Sequence, residues 1–275
     1  MGMIMKFSEN SPAYITTNED WRRAIGFMPK KCKRVLTVAA SGDQPLFCSL
    51  YAIMHYGTKI VVDTFDITIN AKLIMNIKNA AISFLDRYDY IRLLEKLYWC
   101  KDALSVPHFE KIEKKLSDDE IKHLVSMRGN RLFNREYWNG DQYEYLPNDT
   151  EYQILQGIVG EPYDFKQTDI VNLSAKLTEK YDFVYLSNIL DYFNVEEQWE
   201  ILNSLLPYVN VGGRIVSYSF PRYPKQFLKT PENEELVKDV FKSWHYWNLL
   251  RNKHWHYRTH FTKICDFITV FERLR

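Results

Sequence analysis

Residues 34–46, RVLTVAASGDQPL, decide the fold. Arg34 to Ala40 is a short apolar, β-branched run ending in small residues, the pattern of a strand buried on both faces. Ser41-Gly42-Asp43 is a turn. Pro45 to Tyr56 is then predicted to be a helix, with Leu46, Leu50 and Ile53 on one face and Pro45 near its first turn. Residues 60–67, IVVDTFDI, form a second strand, and Thr68 caps a helix in which Ile69, Leu73, Ile77, Ala80 and Phe84 recur at helical spacing. Strand, turn, helix, strand and helix in this order begin a doubly wound parallel sheet.

The alternation resumes after residue 148. Asp149 to Gly157 is a helix, and Tyr163 to Gln167 is a short strand ending at Thr168-Asp169. Tyr181 to Ser187 is a buried strand. Asn194 with Glu197 three residues on starts the next helix, whose apolar stripe is Val195, Trp199, Leu202 and Leu206. Gly212-Gly213 reads as a turn before a strand from Arg214 to Phe220. Residues 232–250 read as helical. His254 to His260 and Ile264 to Glu272 read as two closing antiparallel strands. The expected fold is α/β, a Rossmann-like doubly wound seven-stranded sheet, as a single domain over 1–275. It carries an N-terminal segment, 1–33, and a helical insertion or lid at about 87–150. The insertion is charged and free of strand signals. Ser117 to Glu120 fits a capping box, and Asn130 to Asn148 reads as loop.

Composition narrows the function. Lys plus Arg number 36 and Asp plus Glu 35, a net charge of +1, so nothing argues for a nucleic-acid or anionic-membrane partner. Cys32, Cys48, Cys100 and Cys265 lie far apart, with neither zinc spacing nor a disulfide framework, which suits reduced thiols. The N-terminus lacks a signal-peptide run, Lys6 breaks the myristoylation pattern, and no stretch is apolar enough to span a bilayer. The expectation is a cytoplasmic protein with no integral membrane segment. The unusual quantity is aromatic: 19 Tyr, 16 Phe and 7 Trp, 15% of residues. Phe65, Phe84, Phe183 and Trp199 are expected in the core. The concentrations at 133–145 and 244–257 are candidates for the wall of an acceptor pocket.

The chemistry centres on Ala39 to Asp43 followed by Asp66. A ligand at the carboxyl ends of parallel strands needs a small-residue turn after the first strand, so that the backbone can approach it. It also needs an acid at the end of the second strand to accept from a ribose diol, and Asp66 lies 24 residues after Gly42. With one glycine rather than three, the turn is a poor seat for a pyrophosphate. A nucleoside that carries no phosphate, such as S-adenosylmethionine, asks less of it. Asp169, after the third strand, could accept from an adenine amino group with Ile170 against the ring. Each acid alone also reads as an ordinary surface or capping carboxylate.

The order VLTVAASGDQPL, VDTFDIT, DFVYLSNILDYF and GGRIVSYSF resembles class I S-adenosylmethionine-dependent transferases. More narrowly, it is similar to the betaine-lipid-synthase-type S-adenosylmethionine:diacylglycerol 3-amino-3-carboxypropyltransferases. The narrower cues are SGDQPL, the D-I-T acid, NIKNAAISFL, and Asn18-Glu19-Asp20, which resembles that family's W-E-D element. The resemblance implies S-adenosylmethionine as cofactor, bordered by Glu19, Ala40, Ser41, Gly42, Asp43, Asp66, Ile67, Asp169, Ile170, Ser187 and Asn188. Glu19 or Asp43 would hold the ammonium. In the fourth-strand motif Asp191 is retained, while Asn188 stands where the lipid enzymes carry a His. A His could deprotonate an acceptor hydroxyl and an Asn cannot.

The expected activity is aminocarboxypropyl transfer to a small-molecule or lipid-like acceptor, releasing methylthioadenosine. Methyl transfer to a small molecule and a non-catalytic S-adenosylmethionine-binding module stand as alternatives. Asp191 and Tyr192 are the candidate catalytic groups, although Asp191 also reads as a helix-start carboxylate. Arg128, Arg131 and Arg135 are spaced to share a helix face. They are either a solvated face or, with Tyr137 and Trp138, a clamp for a substrate anion. His254, His256 and His260 share a strand face with Arg258, which reads as an ordinary polar face, with no metal expected.

Overall fold

The structure, a computed structural model, describes residues 11, 13–17, 19–99, 108–126, 133–134, 146–219, 255–261 and 267–274. The expected helix at 232–250, the Trp244–Trp247 cluster, Asn18, Arg128, Arg131, Arg135, Tyr137, Trp138 and His254 lie outside these residues.

The chain begins with β1 (Ala13–Tyr14) and α1 (Trp21–Ile25). The first unit of the sheet follows as β2 (Arg34–Val38), α2 (Asp43–Tyr56), β3 (Val61–Asp66) and α3 (Ile69–Phe84). The insertion supplies α4 (Arg87–Trp99), α5 (Phe109–Glu113), α6 (Asp118–Ser126) and β4 (Phe133–Asn134). Then come α7 (Asp149–Ile158), β5 (Asp164–Gln167), β6 (Tyr181–Tyr185), α8 (Val195–Leu205), β7 (Val209–Ser219), β8 (Trp255–Phe261) and β9 (Phe267–Arg273).

The main sheet has seven strands in the order β5-β3-β2-β6-β7-β9-β8. β5, β3, β2, β6 and β7 run parallel, and β9 is antiparallel to both of its neighbours. This is the Rossmann-like, doubly wound α/β arrangement expected from the sequence. The strand order reverses at the β2–β6 boundary: the chain grows outward from β2 through β3 to β5, then crosses back to β6. Ligands of open parallel sheets bind in the crevice at such a switch point.

Alternate residues of each strand feed opposite layers, as a period of two requires. Val35, Phe183, Tyr185, Val216 and Tyr218 join α1, α2, α3 and α7 in one core. Leu36, Val184, Ile215 and Phe271 join Trp199, Leu202 and Leu205 of α8 in the other. Helix starts follow their caps. The Thr68 hydroxyl accepts from Asn70 N at 3.2 Å, and Asn148–Glu151 and Asn194–Glu197 both form complete capping boxes. Ser117 and Glu120 make the same reciprocal pair ahead of α6.

Three expectations are corrected. Gly212-Gly213 lies within β7 (Val209–Ser219) rather than ahead of it: β6 pairs with Val209 and next with Arg214, so residues 210–213 leave the ladder, with Gly212 at a φ of 77°. A Cβ on Gly213 would sit 2.8 Å from Asn210 O, so there the glycine permits a bulge. The insertion does hold strand structure, because Phe133–Asn134 pairs in parallel with Ala13–Tyr14. Two residues with no alternation carry no strand signal, and only the partner strand reveals them. Phe84 is not core. It is 45% exposed at the end of α3, with the Lys115 ammonium 5.7 Å from its ring.

Candidate functional site

The turn after β2 builds the first wall. Ala39 N continues the sheet by donating to Phe65 O at 2.8 Å, and Gly42 N closes back on Ala39 O at 2.6 Å. The tight closure forces positive φ at Ala40 (43°) and Gly42 (79°). At Ala40 the strain is carried by the smallest side chain that has a Cβ. At Gly42 no Cβ fits, since it would lie 2.6 Å from Met75 Cα. Gly42 therefore lets the backbone of α3 press against the turn, a packing role beside any ligand role.

Asp66, at the end of β3, reaches across to this turn. One carboxylate oxygen accepts from Ala40 N at 2.9 Å and the other from Thr68 N at 3.1 Å. Burial raises its pKa to about 6 against the pull of these N–H donors. The loop after β5 is tied in by Thr168 N donating to Asp66 O at 2.9 Å. Beyond it, the Asp169 carboxylate accepts from Asn172 N at 2.8 Å and from the Asn172 amide. It thus holds its own turn at a partly exposed position. Ile67 is partly buried, whereas Ile170 is 4% exposed and joins the core layer with Leu36 and Phe65.

The N-terminal segment lies over the carboxyl edge as a strap. Ser11 O accepts from Thr68 Oγ1 at 2.7 Å and from Asn70 Nδ2 at 3.0 Å. Thr17 N donates to Asp43 Oδ2 at 2.7 Å, and Asp20 N reaches Tyr218 OH at 3.4 Å. Between these ties sits Glu19, 1% exposed, whose two carboxylate oxygens accept from Tyr185 OH and Ser187 Oγ at the end of β6. Ser187 is turned toward it by a positive φ of 54°. Burial, and then the neighbouring carboxylate, push the Tyr185 phenol well above its ordinary value, so Tyr185 remains a donor. Glu19 thus stands at the β2–β6 switch point.

Asp43 is spent differently. It is 1% exposed and accepts from Thr17 N, from Ser41 Oγ at 2.9 Å and from the ammonium of Lys78, which is itself fully buried. Burial pulls the Lys78 ammonium below its ordinary value, with Asp43 working against that. After Ser187, Asn188 starts a one-turn 3-10 helix, Ile189–Tyr192, which carries the partly buried Asp191 and Tyr192.

The structure therefore joins Ala40 to Asp66, Ser41 to Asp43, and Glu19 to Ser187. Asp169, Asp191 and Tyr192 lie on neighbouring strand ends. Thr17, Lys78 and Tyr185 are additional members. None of the three is marked locally in the sequence, because each acts through a partner at least 26 residues away. Among the described residues no His, Cys, Asp and Glu cluster could hold a metal ion, and no helix is long and apolar enough to cross a membrane.

No family model matches the chain, and no curated protein matches it. Similar solved structures include an O-methyltransferase family protein from Burkholderia thailandensis, with 10% identity over 92% of this chain and 55% of that one and a TM-score of 0.41. The plantazolicin methyltransferase in complex with SAH shows 11% identity over 93% and 80% of the two chains, with a TM-score of 0.43. An rRNA methylase from Streptococcus thermophilus shows 10% identity over 93% and 94%, with a TM-score of 0.38. The chain spans about half the length of the Burkholderia protein. At these values the fold rests on the strand order itself.

Proposed function

We propose that the chain is an S-adenosylmethionine-dependent transferase that holds its donor across the carboxyl ends of β2, β3, β5 and β6. The observation that carries this reading is Asp66, an acidic strand end bound to the backbone of the β2–α2 turn, beside the crevice where strand order reverses. A nucleoside needs that pairing: an acceptor for the ribose diol and a close backbone beside it. In this reading Asp66 accepts from the ribose, and Ala40, Ser41 and Gly42 lie along the nucleoside. Asp169 accepts from the adenine amino group, with Ile67 and Ile170 toward the ring. Glu19 takes the ammonium. Asp43 does not share that role, because Lys78 already neutralises it. Ser187 and Asn188 border the reacting end.

The donor supplies, when bound, a carbon made electrophilic by its sulfonium leaving group. What remains for the protein is orientation. Asp191 and Tyr192, just past β6, are placed to position or deprotonate an acceptor. Arg131, Arg135, Tyr137 and Trp138 belong to the acceptor side in this reading, and the acceptor is small or lipid-like. The favoured transfer is of the aminocarboxypropyl group, supported by the SGDQPL, D-I-T and NIKNAAISFL cues. Methyl transfer is the second reading, and Asn188 favours it: a position that supplies no base suits an acceptor that is already nucleophilic.

Product analysis separates the two. After incubation with S-adenosylmethionine and candidate acceptors, methylthioadenosine supports aminocarboxypropyl transfer and S-adenosylhomocysteine supports methyl transfer. Saturable binding of the nucleoside with neither product would leave the binding module.

A further inference from the structure

Lys78 and Asp43 form a fully buried ion pair, with side-chain exposures of 0% and 1%. Such a pair costs desolvation on both sides and seldom adds stability over apolar residues of similar volume. Its connections suggest what it contributes instead. Asp43 holds Thr17 N at 2.7 Å. The Thr17 hydroxyl in turn accepts from Glu19 N at 3.3 Å and from Gln44 Nε2 at 3.5 Å. Ser41, in the turn below, also donates to Asp43 and lies 3.3 Å from Gln44 Oε1. Two links of hydrogen bonding therefore run from the ion pair to the backbone of Glu19. Tyr185 and Ser187 fix the other end of that residue.

We infer that Lys78 and Asp43 are positioning residues for donor selection: through Thr17 they set the strap so that the Glu19 carboxylate is presented at the β2–β6 crevice. This rests on the reading of the crevice as a nucleoside site with Glu19 on the ammonium. Lys78 and Asp43 touch no ligand themselves. Their effect falls on the amino-acid end of the donor and leaves the adenosine end untouched, a distinction that a general role in stability does not make.

The test is calorimetric titration of the full chain with two probes. S-adenosylhomocysteine carries the amino-acid end, and methylthioadenosine shares the adenosine thioether but lacks it. Thr17→Val keeps the N–H on Asp43 and deletes the hydroxyl that receives Glu19 N. It is expected to weaken S-adenosylhomocysteine by about tenfold, the scale of a lost charge-assisted contact, and to leave methylthioadenosine unchanged. The double variant Asp43→Leu/Lys78→Met, in which no lone charge stays buried and Thr17 N loses its acceptor while Ser41 keeps Gln44, is expected to show the same selective loss. Equal weakening of both probes, or no weakening of either, overturns the inference. If the double variant does not fold, Thr17→Val decides alone. A wild-type chain that binds neither probe refutes the nucleoside reading itself, which is a different outcome from unselective weakening in the variants.

Discussion

Under the proposed nucleoside reading, Asp66 is expected to make stability and ligand affinity respond to pH in opposite directions. Its carboxyl is raised from 3.8 to about 6 in the folded chain, because burial outweighs the donors at Ala40 and Thr68. A raised acid favours its protonated form on folding, so the folded state binds this proton more tightly than the unfolded state. The contribution of Asp66 to stability is therefore least above pH 6 and grows as pH falls from about 6 toward 4. At about 1.4 kcal/mol per tenfold, the full shift corresponds to about 3 kcal/mol, an upper bound because the side chain is partly exposed. Nucleoside binding has the other sign: a ribose diol donates to the ionised carboxylate, so affinity falls as pH drops below 6. The assay is urea unfolding of the wild type and Asp66→Asn from pH 4.5 to 7.5, since the difference cancels the other titrating groups. Asparagine cannot accept at both oxygen positions, so a constant loss underlies the curve. On top of it, the wild type is expected to gain on the variant steadily as pH falls. A difference independent of pH would refute the assigned environment of Asp66.

Other perturbations test the remaining parts. Gly42→Ala forces an L side chain to φ 79° and sets its Cβ 2.6 Å from Met75 Cα, so a loss of about 2–5 kcal/mol is expected in denaturant unfolding. A loss below about 1 kcal/mol would mean that α3 does not press on this turn. Lys78→Met leaves the Asp43 carboxylate buried without its cation and is expected to cost about 3–5 kcal/mol. The double variant Asp43→Asn/Lys78→Met should recover most of that, so a double variant as damaged as the single one would contradict the pairing. Asn194→Ala removes the α8 capping box and is expected to cost about 1 kcal/mol by thermal melting with no change in nucleoside affinity.

What was legible in the sequence followed from local rules. The strand from Arg34 and the helix after it needed only apolar runs, small turn residues and helical spacing. Asn194 and Ser117 announced their helices because a cap acts within three residues, while the equivalent box at Asn148 and Glu151 went unread at the end of a loop-like stretch. What was not legible acts at a distance. Lys78 looked like one more polar residue beside an apolar stripe, yet α3 is buried on nearly every side, since α4, α5 and α7 lie against it as well as the sheet. Its partner Asp43 is 35 residues away. Glu19 was found by resemblance, but its partners Tyr185 and Ser187, separated from it by 166 and 168 residues, were not. β7 continues past two glycines that read as a turn, because the chain bulges at 210–213 and joins the β6 and β9 ladders again at Arg214.

The central claim is that this crevice binds a sulfonium nucleoside through Asp66, and the most direct measurement is titration of the wild type and Asp66→Ala with S-adenosylhomocysteine. The wild type is expected to bind saturably at one site, and Asp66→Ala, while still folded, to bind at least about tenfold more weakly, the cost of removing a charged acceptor from its donors. No binding to the wild type, or equal binding to both, would contradict it.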